Sequence, residues 1–94
     1  MIMRDMVVCA DGTTLSVQAS TIHYCSPRND QGPWDSVEVG FVTNPKGGQY
    51  TPKGWKQYGG PDVFGRVPIA TVNKFIRARG GETSNVMETF RGEV

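Results

Sequence analysis

The chain has little of what small extracellular or membrane proteins are built from. Its 94 residues hold two cysteines, Cys9 and Cys25, too few for a disulfide framework. It shows no secretory leader pattern and no membrane-length apolar run. The longest apolar stretch near the N-terminus, "MVVCA" at residues 6–10, is broken by Asp11-Gly12. A charge excess of one sign is also missing. Ten Lys and Arg against nine Asp and Glu leave +1, which argues against a general nucleic-acid footprint but leaves room for a local basic pocket. There is one histidine, no close cysteine pair of the zinc type, no P-loop and no complete GxGxxG. These absences set the expectation of a soluble protein of a reducing cytosol, with no membrane association, metal or cofactor.

What is present points to one small domain over residues 1–94. A chain of this size buries only about 60–65% of the surface that it exposes when unfolded. A deep enclosed site is hard to carve from such a core. A surface groove, or a pocket completed by a second subunit, is easier to build, so a homo-oligomer is expected. Twelve glycines and six prolines promise many turns and little helix.

Periodicity locates the elements. Residues 6–10 read as a strand, and Asp11-Gly12 is a strong hairpin dipeptide. Residues 15–19, "LSVQA", alternate, with Leu15, Val17 and Ala19 expected inward and Ser16 and Gln18 outward. Residues 36–42, "SVEVGFV", alternate again, with Val37, Val39 and Phe41 on one face. Residues 43–62, "TNPKGGQYTPKGWKQYGGPD", form a long loop rich in Gly, Pro, Lys and aromatics, a length that is usually functional or mobile. A fourth strand is expected at 63–67. Pro68 then suits a helix start, Ile69, Val72, Phe75 and Ile76 recur at helical spacing, and Gly80-Gly81 ends the helix. The polar tail, residues 82–94, is expected to add a strand or short helix or to dock on a neighbour. The predicted class is α+β, an antiparallel sheet of about four strands with one helix of the C-terminal half packed on it.

The chemistry-bearing residues concentrate in "IHYCSPRND" at residues 22–30. His23 and Cys25 lie two apart, so an extended segment points them the same way, but a Cys-His catalytic pair also needs a group to orient the ring. Asp30 or Asp11 is available for that, yet no spacing requires it. Cys9, Cys25, His23 and Asp11 make a zinc set only if distant segments meet. Paired carboxylates are weak as well, because Asp30, Asp35 and Asp62 sit in Gly/Pro-rich turns where aspartate is common. Buried core thiols and a hydrogen-bonded loop histidine account for the same residues without catalysis.

Recognition chemistry is better represented. His23, Tyr24, Ser26, Arg28, Asn29 and Asp30 supply donors, acceptors and a planar cationic fork suited to phosphate or carboxylate. Trp34, Tyr50, Trp55 and Tyr58 offer rings for stacking on a flat ligand. Lys46, Lys53, Lys56 and Arg66 offer charge to neutralise phosphates, the mixture that nucleotide and single-strand sites use. A turn cluster with a solvated arginine explains any one of these residues. Two tryptophans and three tyrosines in or beside loops exceed the needs of a small core and favour a contact surface.

The strings "VCADGTTLSVQAS", "HYCSPRND", "VEVGF" and "VFGRVPIATVNKFIRARGG" resemble a family of small uncharacterised proteins encoded by phages and prophages. The resemblance runs from residue 8 to residue 81 and is weakest between residues 42 and 63. It implies no catalytic residues. It implies a setting, that of a phage accessory protein in the host bacterial cytoplasm, where such proteins grip a host defence complex, sequester a nucleotide signal or serve as minor virion parts. The expectation is therefore a non-enzymatic counter-defence protein that sequesters a small nucleotide-like signal. A protein inhibitor of a host defence protein, or a virion component, is the alternative. A small hydrolase or lyase using His23 and Cys25 ranks third.

Overall fold

Successive antiparallel pairings, each strand with the next in sequence, build the sheet. In the computed structural model, which describes residues 3–91, β1 (Val7–Val8), β2 (Thr14–Gln18), β3 (Ser36–Thr43) and β4 (Val63–Pro68) lie in the order β1-β2-β3-β4. α1 (Ile69–Arg77) leaves β4 directly, and two 3-10 turns, Trp55–Tyr58 and Met87–Arg91, complete the regular structure of the described residues. The fold is α+β, one antiparallel four-stranded sheet with a single helix in the C-terminal half.

Local chemistry explains the boundaries. At the first turn the Asp11 carboxylate accepts the Thr13 N–H at 2.8 Å, and Gly12 takes a φ of 97°. Pro68 caps α1, whose first N–H donates to the Asp35 carbonyl at 2.8 Å, so that orphan donor is satisfied. At the far end Gly81 N–H reaches the Ile76 carbonyl and Gly80 N–H the Arg77 carbonyl, each at 3.1 Å. This is a Schellman closure with Gly80 at a φ of 90°. The helix end also carries the first turn, since Ala10 and Asp11 donate to the carbonyls of Gly81 and Arg79.

One core lies between the sheet and α1. Val7, Leu15, Val17, Val37, Val39, Phe64 and Val67 are fully buried, and Val72, Phe75 and Ile76 of α1 join the same cluster. Two bulges set which residues reach it. Between the pairs Thr14↔Thr43 and Ser16↔Gly40, β3 spends one more residue than β2. Between Val37↔Val67 and Val39↔Phe64, β4 spends one more than β3. The two non-glycine residues with positive φ among those described, Phe41 at 53° and Arg66 at 50°, sit in these bulged segments.

The first bulge overturns part of the alternation expected for β3. Phe41, expected inward with Val37 and Val39, is 57% exposed, and Val42 takes the buried place. An extra residue shifts the period-two pattern by one. Gln18, expected outward, is buried for a different reason: its amide exchanges two hydrogen bonds with the main chain of Arg4, at 2.9 and 2.8 Å.

The long connection at residues 43–62 is built from turns and one plug. Asn44 Oδ1 accepts the N–H groups of Lys46 and Gly48, and Tyr50 N–H returns to the Val42 carbonyl. Trp55 then enters the core beside Phe64 and Phe75. Of the tail, residues 82–84 run beside β1, where Thr83 N–H donates to the Val8 carbonyl at 2.8 Å, and Phe90 packs on Trp34. Residues 92–94 of that segment lie outside the described residues.

Candidate functional site

The first 3-10 turn and α1 face each other across an open groove of about 520 Å³, within the usual range for small-molecule sites. Pro52 and Gly54 start the turn: the Trp55 N–H donates to the Pro52 carbonyl at 3.0 Å, and Gly54 takes a φ of 84°. This drives the Trp55 ring inward until it is 4% exposed. There it meets Phe64, Phe75 and Tyr58 at centroid distances of 5.5, 5.2 and 6.3 Å. Trp55 and Phe75 form the floor with Phe64 buried behind them, and Tyr58 remains half-buried at its margin.

The rim is polar and cationic. Lys53 comes from the loop, and Thr71, Lys74 and Arg79 come from α1 and the turn that ends it. Arg79 is held on three sides. Its Nε donates to Tyr50 Oη at 3.2 Å, its Nη1 donates to the Phe75 carbonyl at 3.0 Å, and its guanidinium carbon lies 3.5 Å from the Phe75 ring centre. Its Nη2 donates to no group among the described residues, which leaves part of the fork available for bidentate contact. Among the described residues no carboxylate lines this groove. Arg79 also acts on Asp11, whose carboxyl is held below the usual range by the Thr13 N–H first, the Thr13 hydroxyl second and Arg79 more weakly.

A second hollow of about 470 Å³ lies between Trp34, Phe90 and the start of α1. Glu82 and Glu88 line it, so it suits an anion less. The Glu82 carboxylate is already engaged, accepting from the Val86 N–H at 2.7 Å and the Ser84 hydroxyl at 2.5 Å.

The residues singled out in the sequence fall into three places. Tyr50, Trp55 and Tyr58 belong to the groove, Tyr50 through its bond to Arg79. Tyr24, Arg28 and Arg66 meet elsewhere, with both guanidinium carbons about one ring-stacking distance from Tyr24, at 5.8 and 6.0 Å. His23, Ser26, Asn29, Asp30 and Trp34 shape the connection itself. Asn29 Oδ1 accepts the N–H groups of Gln31 and Gly32, and Asp30 accepts the N–H and hydroxyl of Thr21. Ser26 pairs its main chain with Ser36. Trp34 is 4% exposed, its indole N–H donating to the Asn29 carbonyl at 3.2 Å while Arg4 lies over its ring at 5.0 Å.

His23 and Cys25 are both buried, and the side chain of each is bonded to Ser20 and not to that of the other. His23 Nδ1 lies 2.6 Å from Ser20 Oγ, whereas Cys25 Sγ donates to the carbonyls of Ser20 at 3.2 Å and Pro27 at 3.5 Å. Cys9 is buried as well, and that burial first, then Asp11, raises its thiol pKa against an opposing pull from Arg79, with Glu82 the smallest influence. Among the described residues no three His, Cys, Asp or Glu side chains converge as a metal site. No helix among them is long and apolar enough to cross a membrane.

Sequence reasoning did not name Lys74 or Arg79 among the binding residues, and both line the groove. The signal was present in the spacing of Thr71, Lys74, Phe75, Ala78 and Arg79, a stripe at i, i+3, i+4, i+7 and i+8. Its meaning depended on what lay opposite, and that was a loop with no periodicity. Comparison with protein-family models, with curated proteins and with solved structures finds no match.

Proposed function

We propose that the chain is a non-enzymatic binding protein that holds a small nucleotide-like anion in the groove between Trp55–Tyr58 and α1. The observation that carries this reading is the anchored Arg79 fork beside an aromatic floor, with Lys53 and Lys74 on the same rim and no carboxylate among the lining residues. Arg79 and the two lysines would neutralise phosphate, Tyr58 would stack on a base, and Thr71 and Gln57 would supply neutral hydrogen bonds. Binding without turnover fits a groove that has cations but no histidine, cysteine or carboxylate among its lining residues.

In the setting implied by the resemblance to small phage and prophage proteins, such a groove would sequester a nucleotide signal of host defence in the bacterial cytoplasm. Because the groove is open, a second copy of the chain would supply the missing wall in a homo-oligomer. The test is a thermal-shift and calorimetric survey of cyclic nucleotides and ADP-ribose derivatives, followed by mass spectrometry of the ligand released on denaturation. The expected outcome is stabilisation by a particular nucleotide, its recovery intact, and about tenfold weaker binding in Lys74→Gln. A survey in which nothing binds, or an altered ligand on release, rejects the reading.

A further inference from the structure

The face of the sheet away from α1 carries a separate, strongly marked surface. Phe64 points into the core with Trp55 and Phe75, so its neighbour Gly65 belongs to the opposite face. Tyr24 lies against it there: a Cβ on Gly65 would come within 3.1 Å of Tyr24 Cβ. Tyr24 is 54% exposed, and Ile22, two residues earlier, is 60% exposed. Neither Tyr24, Arg28 nor Arg66 lines either hollow described above.

Two properties of this surface are unfavourable for the isolated chain. Arg28 and Arg66 both approach the one Tyr24 ring, at 5.8 and 6.0 Å, although like charges gathered at one place repel. Arg66 also holds a φ of 50°, a left-handed conformation that glycine would adopt without strain. Glu38 is the carboxylate bonded to Tyr24, its Oε2 accepting the Tyr24 N–H at 3.0 Å.

Hydrogen bonds tie down the main chain under this surface and the Arg28 side chain. The Arg66 N–H donates to the Tyr24 carbonyl at 2.9 Å, Arg28 Nε donates to the Thr21 carbonyl at 2.9 Å, and Asp30 fastens Thr21. Pre-ordered side chains lose little entropy on association. Tyrosine and arginine are also the residue types that dominate the energetics of protein interfaces.

We propose that Tyr24, Arg28 and Arg66 form a docking surface for an acidic segment of a partner protein. Carboxylates of the partner would pair with the two guanidinium forks and offset their repulsion, while Tyr24 and Ile22 would supply apolar contact. A nucleic-acid backbone fits less well, because Glu38 is bonded at Tyr24 and the chain as a whole carries only +1.

The test is fluorescence anisotropy with a short labelled peptide alternating glutamate and leucine, set against a lysine–leucine peptide and a single-stranded oligonucleotide. Arg66→Gly is the informative variant, because it removes the charge while suiting the backbone. The expected result is binding of the acidic peptide alone, weakened about tenfold or more by Arg66→Gly and by Tyr24→Ala. The melting temperature of Arg66→Gly should equal or exceed that of the parent, and Lys74→Gln in the groove should leave the peptide affinity unchanged. The proposal is overturned if the acidic peptide does not bind, if Arg66→Gly binds it normally, or if Lys74→Gln is the variant that loses it. Tighter binding of the oligonucleotide also overturns it, as does a dimer in sedimentation that Arg66→Gly alone dissociates.

Discussion

Gly60 shows how one missing side chain holds two elements together. Its φ is 86°, and a Cβ there would lie 2.6 Å from Cε1 of the buried Phe64 ring. Gly47 has a similar φ of 92° but open space around it. Gly47→Ala should therefore cost only the backbone term, about 1–2 kcal/mol. Gly60→Ala should add an overpacking term of about 1–3 kcal/mol. Urea denaturation of the two variants reads the difference, and equal losses would mean that the Phe64 contact is unimportant. Arg66 presents the converse case. It has a bulky residue where glycine fits, so whatever Arg66 contributes comes from its side chain and not from the turn.

At the level of elements, the long connection between β3 and β4 depends on Trp55. Its ring is the point where residues 43–62 enter the core, against Phe64 of β4 and Phe75 of α1. Trp55→Ala should lower stability by about 3–5 kcal/mol, a large share of the 5–15 kcal/mol typical of a domain. It should also expose the segment around Pro52 to Gly59 to limited proteolysis, while Tyr58→Ala, at the margin, should leave that cleavage slow. A Trp55→Ala protein that resists protease as the parent does would show that the turns around Asn44 suffice. This element is also where the groove is made, so ligand and stability are coupled there: a nucleotide bound between the turn and α1 should slow the same cleavage.

Across the whole molecule, acid sensitivity should report on two aspartates that fasten connections. Asp30 is held below its usual pKa of 3.8 chiefly by the Thr21 N–H and then by the Thr21 hydroxyl, and Asp11 by Thr13 in the same order. A carboxylate with a depressed folded pKa contributes stability above its unfolded value and loses it as pH falls through the folded one. Stability should thus decline as pH drops below about 4. Asp30→Asn should flatten that decline, measured by thermal melts across the acid range, while leaving the slope near neutral pH unchanged. An unchanged acid slope in the variant would count against the Thr21–Asp30 tie as a native-state contact.

Local physics made the element list legible. Alternation at residues 15–19, the Asp11-Gly12 turn and the Gly80-Gly81 stop each act over a few residues, so the strands and the helix could be read without knowing their neighbours. Tertiary structure decided the rest. Trp34 and Trp55 occupy segments with the composition of exposed loops, yet both are buried, because rings a long way along the chain come to meet them. A bulge in β3 turns Phe41 outward against its own alternation, since register is settled between strands and not within one. Arg79 joins Lys53 and Tyr58 across the groove, and Arg66 joins Tyr24 and Arg28 on the opposite face. Both constellations draw on residues far apart in sequence, and their chemistry exists only once the sheet and helix have brought them together.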